Sequence, residues 1–207
     1  MKLLGQPVQT RHLSNLNIIG NIMIEEFEPL FKCGSDWHNN ACLNYSHDMS
    51  SNYINGYKNA ADTLVLHINE KASNQDSLVY PVVFLYRHHL ELLLKNIIDN
   101  GLKLLGNDDE RPKNHNLDSL WSGVKKIILK VWESSPEESK FIDHIIGELN
   151  KYDQYSMSFR YAKDKKDNKA NPCLYYINLR HLAQSIDKVS VSLNGIDSAI
   201  SEYLTDI

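Results

Sequence analysis

Apolar residues recur along this chain at three- and four-residue intervals, with no sustained alternation of the kind a half-buried strand needs. Such spacing gathers the apolar positions on one side of an α helix, so an all-α protein is expected. Residues 13–31 carry Leu16, Ile19, Ile22, Met23 and Phe27 in helical register until Pro29 stops or kinks the run. The polar, turn-rich stretch around Trp37, His38, Tyr45 and His47 has no period. It is expected as irregular structure packed on the main body by its aromatics. A helix over 52–69 follows, with Tyr53, Tyr57, Ala60, Ala61, Leu64 and Ile68 facing inward, and the polar residues 70–77 read as a loop.

Residues 80–101 are apolar nearly all round, the mark of a helix at the centre of a bundle. Pro81 stands where that helix is expected to begin, and Leu102, Leu104 and Leu105 can extend it from Gly101 to Gly106. Asn116 is a candidate N-cap for a third helix, whose stripe runs Leu117, Leu120, Trp121, Val124, Ile127, Ile128 and Val131. Ser135-Pro136-Glu137-Glu138 has the form of a capping box before a fourth, with Phe141, Ile142, Ile145, Ile146 and Leu149 on one face. A lysine-rich loop over 153–172 leads to a last long helix, 173–193, with Tyr176, Leu179, Ala183, Ile186 and Leu193 inward. Gly195 is expected to end it before a short closing helix at 196–204. The predicted fold is an up-and-down helical bundle over 52–207 behind an N-terminal extension, 1–51.

Composition narrows the function classes. A chain of 207 residues with 42% hydrophobic and 23% charged residues reads as one soluble domain. The net charge of −4 argues against a broad nucleic-acid-binding surface and leaves room for a local basic patch. Cys33, Cys42 and Cys173 are too scattered for a disulfide framework or a zinc knuckle, and His144 with Glu148 is only half of a metal site. Phosphate-binding glycine loops and a nucleophile elbow are missing, so no cofactor or metal is expected. With no apolar leader and no run of membrane-spanning length, the expected location is the cytoplasm.

The candidate chemistry lies on the central helix. Arg87, Glu91 and Lys95 are spaced four apart, which puts them on one helical face, with His88 and His89 alongside. Charges on an apolar helix must be paired, because an isolated buried charge is too costly. The stripe is therefore either a structural ion-pair ladder or the floor of a site.

The run LYRHHLELLLKNII, then a loop and HNLDSLW, then SFRY and NLRHL, in this order, resembles the HEPN-type helical bundles of prokaryotic cells over about residues 52–204. The resemblance implies a cytoplasmic, homodimeric protein of a toxin, antiphage or stress system. It also implies RNA or a nucleotide as target, metal-independent RNase activity in many members, and a cognate antitoxin or defence partner. The nuclease members carry an arginine, a polar residue and, a turn or so further on, a histidine. Here Leu92, Leu93 and Leu94 hold those later positions, so a histidine would have to come from another segment.

Metal-independent RNA cleavage needs a proton carrier near neutrality and a cation for the phosphorane. Arg87, His88, Glu91, Arg180 and His181 are the candidates for the chemistry. Lys95, His115, Arg160 and Tyr161 are the candidates for holding substrate. The opposing reading makes the same charges internal staples of a non-catalytic interaction module. In it His115 anchors a loop, Asp118 stabilises a first helical turn, and Asp153 and Ser156 receive Arg160 or Arg180.

Overall fold

A computed structural model describes residues 29–107, 111–132, 139–164 and 166–206. The chain divides into two units, Met1–Tyr45 and Ser46–Ile207. In the first, the described residues are irregular apart from one 3-10 turn at Trp37–Asn39. There the Asn40 side chain closes a small loop, accepting from Gly34 N and donating to Gly34 O, each at 2.8 Å. The expected helix over 13–31 and the capping box at 135–138 fall largely or wholly outside the described residues.

The second unit is an all-α bundle of five helices among its described residues: α1 Ser50–Lys71, α2 Gln75–Leu104, α3 Leu117–Trp132, α4 Ser139–Asp153 and α5 Leu179–Thr205. The central helix is α2, and its apolar positions Val82, Leu90, Leu93, Leu94 and Ile97 are almost fully buried. It begins earlier than its apolar run suggests, so Pro81 sits in the second turn. At that depth the missing N–H removes a single helical hydrogen bond, and the exposed ring is tolerated. The 70–77 loop shrinks to Ala72, Ser73 and Asn74, because Ala72 and Asn74 both turn left-handed, at φ 49° and 64°.

The far end of α2 closes as a Schellman motif. Asn107 N donates to Leu102 O and Gly106 N to Lys103 O, with Gly106 at φ +59°. Chain direction then matters for the site. Glu91 meets His115, Ile98 meets Gly123 and Gly101 meets Ile127, so the contacts advance together along α2 and α3. Arg111 meets Asp99 and His115 meets Glu91, so residues 111–116 run back beside α2 before α3 starts, which is how His115 arrives at the middle of the central helix. Asn116 caps α3 as expected, its side chain accepting from Ser119 N at 2.9 Å.

Two helical faces differ from the sequence reading. In α1 the buried stripe is Ile54, Ala61, Val65 and Ile68, while Tyr53 and Ala60 are exposed. The true stripe lies about one residue round from the predicted one, which leaves the Tyr53 hydroxyl in water. In α5 there is no break at Gly195. Ile186, Val189, Leu193, Ile196 and Ile200 continue one stripe, and its burial outweighs the roughly 1 kcal/mol that a helical glycine costs. That helix starts at Leu179 because Asn178 caps it, accepting from His181 N, so Tyr176 lies outside it and exposed.

Candidate functional site

Two faces of α2 carry polar groups. On the face toward α1 and α5, His89 is fully buried. Its Nδ1 lies 2.9 Å from Ile54 O and its Nε2 2.8 Å from Ser190 Oγ. A carbonyl can only accept, so Nδ1 carries the proton and Nε2 accepts from the serine hydroxyl. Burial is the main reason its pKa falls below the usual histidine value, so it stays neutral. A neighbouring network joins Tyr86, whose hydroxyl donates to Asp62 Oδ1 at 2.7 Å, to Lys58, which pairs with Asp62 and Asp187 at 2.9 and 3.0 Å. Burial and the Asp62 carboxylate drive the Tyr86 phenol far above its normal range. Both sets staple three helices.

The opposite face holds the Arg87 stripe. Arg87 is fully buried and ties three segments together. Its Nη1 donates to Glu91 Oε2 at 3.1 Å, Nη2 to His115 O at 2.5 Å, and Nε to Asp153 O at 3.0 Å. Asp153, at the end of α4, is the partner that sequence reading assigned to a different arginine. One of its oxygens lies 3.5 Å from Arg87 Nε, an ion pair without hydrogen-bond alignment. The other accepts from Met157 N and Ser158 N at 2.6 and 2.9 Å, which fixes the start of the next loop. All of the Arg87 guanidinium nitrogens are engaged by protein groups, and the side chain is out of reach of solvent.

Glu91 is 1% exposed and couples this buried end to the surface. Its Oε1 accepts from Lys95 Nζ at 2.6 Å and from His115 Nδ1 at 2.7 Å. Burial works to raise the Glu91 pKa, but the Lys95 and His115 hydrogen bonds and charges outweigh it and hold the group below the usual carboxylate range. The His115 ring is two-thirds exposed. With Nδ1 donating to a carboxylate, neutral His115 must present the lone pair of Nε2 away from Glu91. That is the arrangement of a general base oriented by a carboxylate. Lys95 also lines an open cleft of about 310 Å³ with Tyr53, Asn96, Asp99 and Arg111.

His88 sits between these groups and an aromatic cluster. Its ring meets Tyr57 edge-on at 4.4 Å and stacks on Phe84 at 5.7 Å. It makes no hydrogen bond among the described residues, and burial is the largest cause of its lowered pKa. Arg160 lies over Phe84 at 5.6 Å and over Tyr161 at 5.4 Å, and its own bonds are long ones to Ser156 O and Tyr161 Oη. The structure thus brings together Arg87, His88, Glu91, Lys95, His115, Arg160 and Tyr161.

Arg180 and His181 stand apart from this group. Arg180 contacts Asn69 at the end of α1, and His181 contributes its backbone N–H to the α5 cap. Both belong to α5, which packs on the His89 side of α2, half a helical turn from Arg87. Phe84 was not singled out by the sequence reading, and Tyr57 was read only as an inward-facing core position. The four-residue step from Phe84 to His88 was available as a signal, but it is indistinguishable from core spacing.

Among the described residues, no group of three or more His, Cys, Asp or Glu is placed to hold a metal ion. No described helix is long and apolar enough to cross a membrane. Compared with known proteins, the chain matches no family model, no curated protein and no solved structure.

Proposed function

We propose that this protein is a divergent HEPN-like protein of a prokaryotic defence, toxin or stress system that acts on RNA without a metal, with His115 as its proton carrier. The observation that carries this reading is the Glu91–His115 pair: an exposed imidazole oriented at 2.7 Å by a buried carboxylate that is itself anchored by Arg87 and Lys95. A histidine supplied by the returning residues 111–116 takes the place of the one that Leu92 to Leu94 leave missing on α2. His115 Nε2 would accept the 2′-hydroxyl proton, and Arg160, exposed and lying over two rings, would face the phosphate. Lys95 fixes the charge on Glu91. The same reading takes the protein as a cytoplasmic homodimer with a cognate antitoxin or defence protein as partner.

Incubation with bulk tRNA in excess EDTA tests it. Cleavage by the wild type should fall at least 100-fold in His115→Ala, the usual range for a lost acid–base group, with the helical fold retained by circular dichroism. Equal cleavage by both proteins would remove His115 from the chemistry.

A second reading, the non-catalytic interaction module, is favoured by one observation: Arg87 is fully buried against Glu91 and Asp153, as an internal staple would be. Under it the wild type leaves tRNA intact, and Arg87 matters for stability alone.

A further inference from the structure

We propose that the loop over residues 154–178 is a binding platform for single-stranded RNA, where bases stack on exposed tyrosines and phosphates meet the loop's cations. The inference rests on the RNA-directed reading above and adds to it a substrate form and a second surface.

The first observation is exposure. Tyr155, Tyr161, Tyr175 and Tyr176 are 71%, 50%, 80% and 94% accessible, within one connection between helices. Tyrosine is a large ring that folding ordinarily uses for packing. Tyr175 and Tyr176 leave most of their faces in water, and nothing in the bundle accounts for them.

Charge is the second. Arg160, Lys163, Lys165, Lys166 and Lys169 against Asp164 and Asp167 leave this loop at a net +3, in a chain of net −4. Lys163 is paired with Asp167 at 2.8 Å. Arg160, Lys166 and Lys169 make no ion pair among the described residues, so their charge is available to a ligand. Aromatic rings interleaved with cations are what sequence-tolerant binding of single strands requires. Every base has a face to stack, and every nucleotide has a phosphate.

The third observation is order in the loop itself. Asp164 Oδ1 accepts from Lys166 N and Asn168 N at 2.8 and 2.9 Å, Ala170 N donates to Ala162 O at 3.1 Å, and Asn171 Nδ2 reaches Ser158 O at 3.3 Å. The two arms of the loop therefore run side by side, and Asp153 fixes the start of the first. A framed loop presents its rings without a large ordering cost on binding. It is also continuous with the site, since Arg160 lies over Phe84 and Phe84 stacks on His88. A duplex hides its base faces and so gains little from such a surface.

The test is fluorescence anisotropy of a labelled 12-nucleotide oligouridine with the full chain at low salt. It is run beside a duplex of the same length, for wild type and Tyr175→Ala/Tyr176→Ala. The proposal expects single-strand binding by wild type that weakens at least tenfold in the double tyrosine variant, whose melting temperature stays the same because both rings are exposed. It expects the duplex to bind more weakly than the single strand. Binding or cleavage by wild type with no loss in the tyrosine variant would overturn the platform and leave the RNA reading standing. Neither binding nor cleavage by wild type would overturn both. A duplex bound as tightly as the single strand would also overturn the platform, because charge alone would then explain the binding.

Discussion

His88 and His89 are consecutive in the chain, yet they belong to two different kinds of structure. His89 faces α1 and α5, with both ring nitrogens satisfied and no path to solvent. His88 lies between Tyr57 of α1 and Phe84, beside the Glu91 group, with no hydrogen-bond partner for its ring among the described residues. The difference extends to their surroundings. Around His89, both partners of the ring, Ile54 O and the Ser190 hydroxyl, are themselves buried. On the Arg87 side polar groups form a chain that starts at a fully buried guanidinium, passes through Glu91 and ends at an exposed imidazole. A closed network holds helices together. One that ends at the surface can also hand its organisation to a ligand.

The largest expected effect comes from breaking the buried end. Arg87→Ala leaves Glu91 and Asp153 short of a partner and His115 O without its donor, and should cost about 3–5 kcal/mol in denaturant unfolding. Lys58→Met on the other face should cost about 1 kcal/mol or less, since Asp62 and Asp187 are well solvated. Comparable losses for the two variants would erase the distinction between the faces.

The pH dependence sharpens the comparison further. The buried His89 has a folded-state pKa below 6.5, so below that pH the unfolded chain binds a proton that the folded one resists. Its contribution to stability is full above pH 6.5 and declines as the pH falls below it. The same sign holds for His88, while Glu91, with its depressed pKa, loses its contribution only as the pH falls below the ordinary carboxylate range. Melting temperature should therefore drop between pH 7.5 and 5.5, with a shallower slope in His89→Gln. A slope unchanged by that substitution would mean His89 is not held neutral.

The smallest effect concerns the tight turn between α1 and α2. Ala72 adopts φ 49°, a conformation that suits glycine, so Ala72→Gly should stabilise by roughly 0.5–1 kcal/mol in thermal melts.

The helices were legible because their apolar spacing is strong, and the Asn116 cap because asparagine before a periodic run has a local mechanism. Gly195 misled because stripe continuity through Leu193, Ile196 and Ile200 is a stronger constraint than one glycine. The Arg87–Glu91–Lys95 stripe was legible as a contact face, since four-residue spacing is local geometry. Its connection to Asp153 and His115 was not legible. Both depend on where α4 ends and on the return of residues 111–116 along α2, and no local spacing encodes either. Arg180 and His181 show the converse. They fit the expected motif order but lie on the helix that packs against the other face.

The central claim is that buried Glu91 fixes the proton on His115 Nδ1 and leaves Nε2 free to act as a base. Long-range proton–nitrogen NMR on ¹⁵N-labelled protein, at a pH where the ring is neutral, reads this directly. The account predicts a protonated Nδ1 on His115, whereas free histidine favours the other tautomer, and a return to that ordinary form in Glu91→Ala. Nε2 protonated in the wild type would contradict it, because His115 could then offer no base to a substrate.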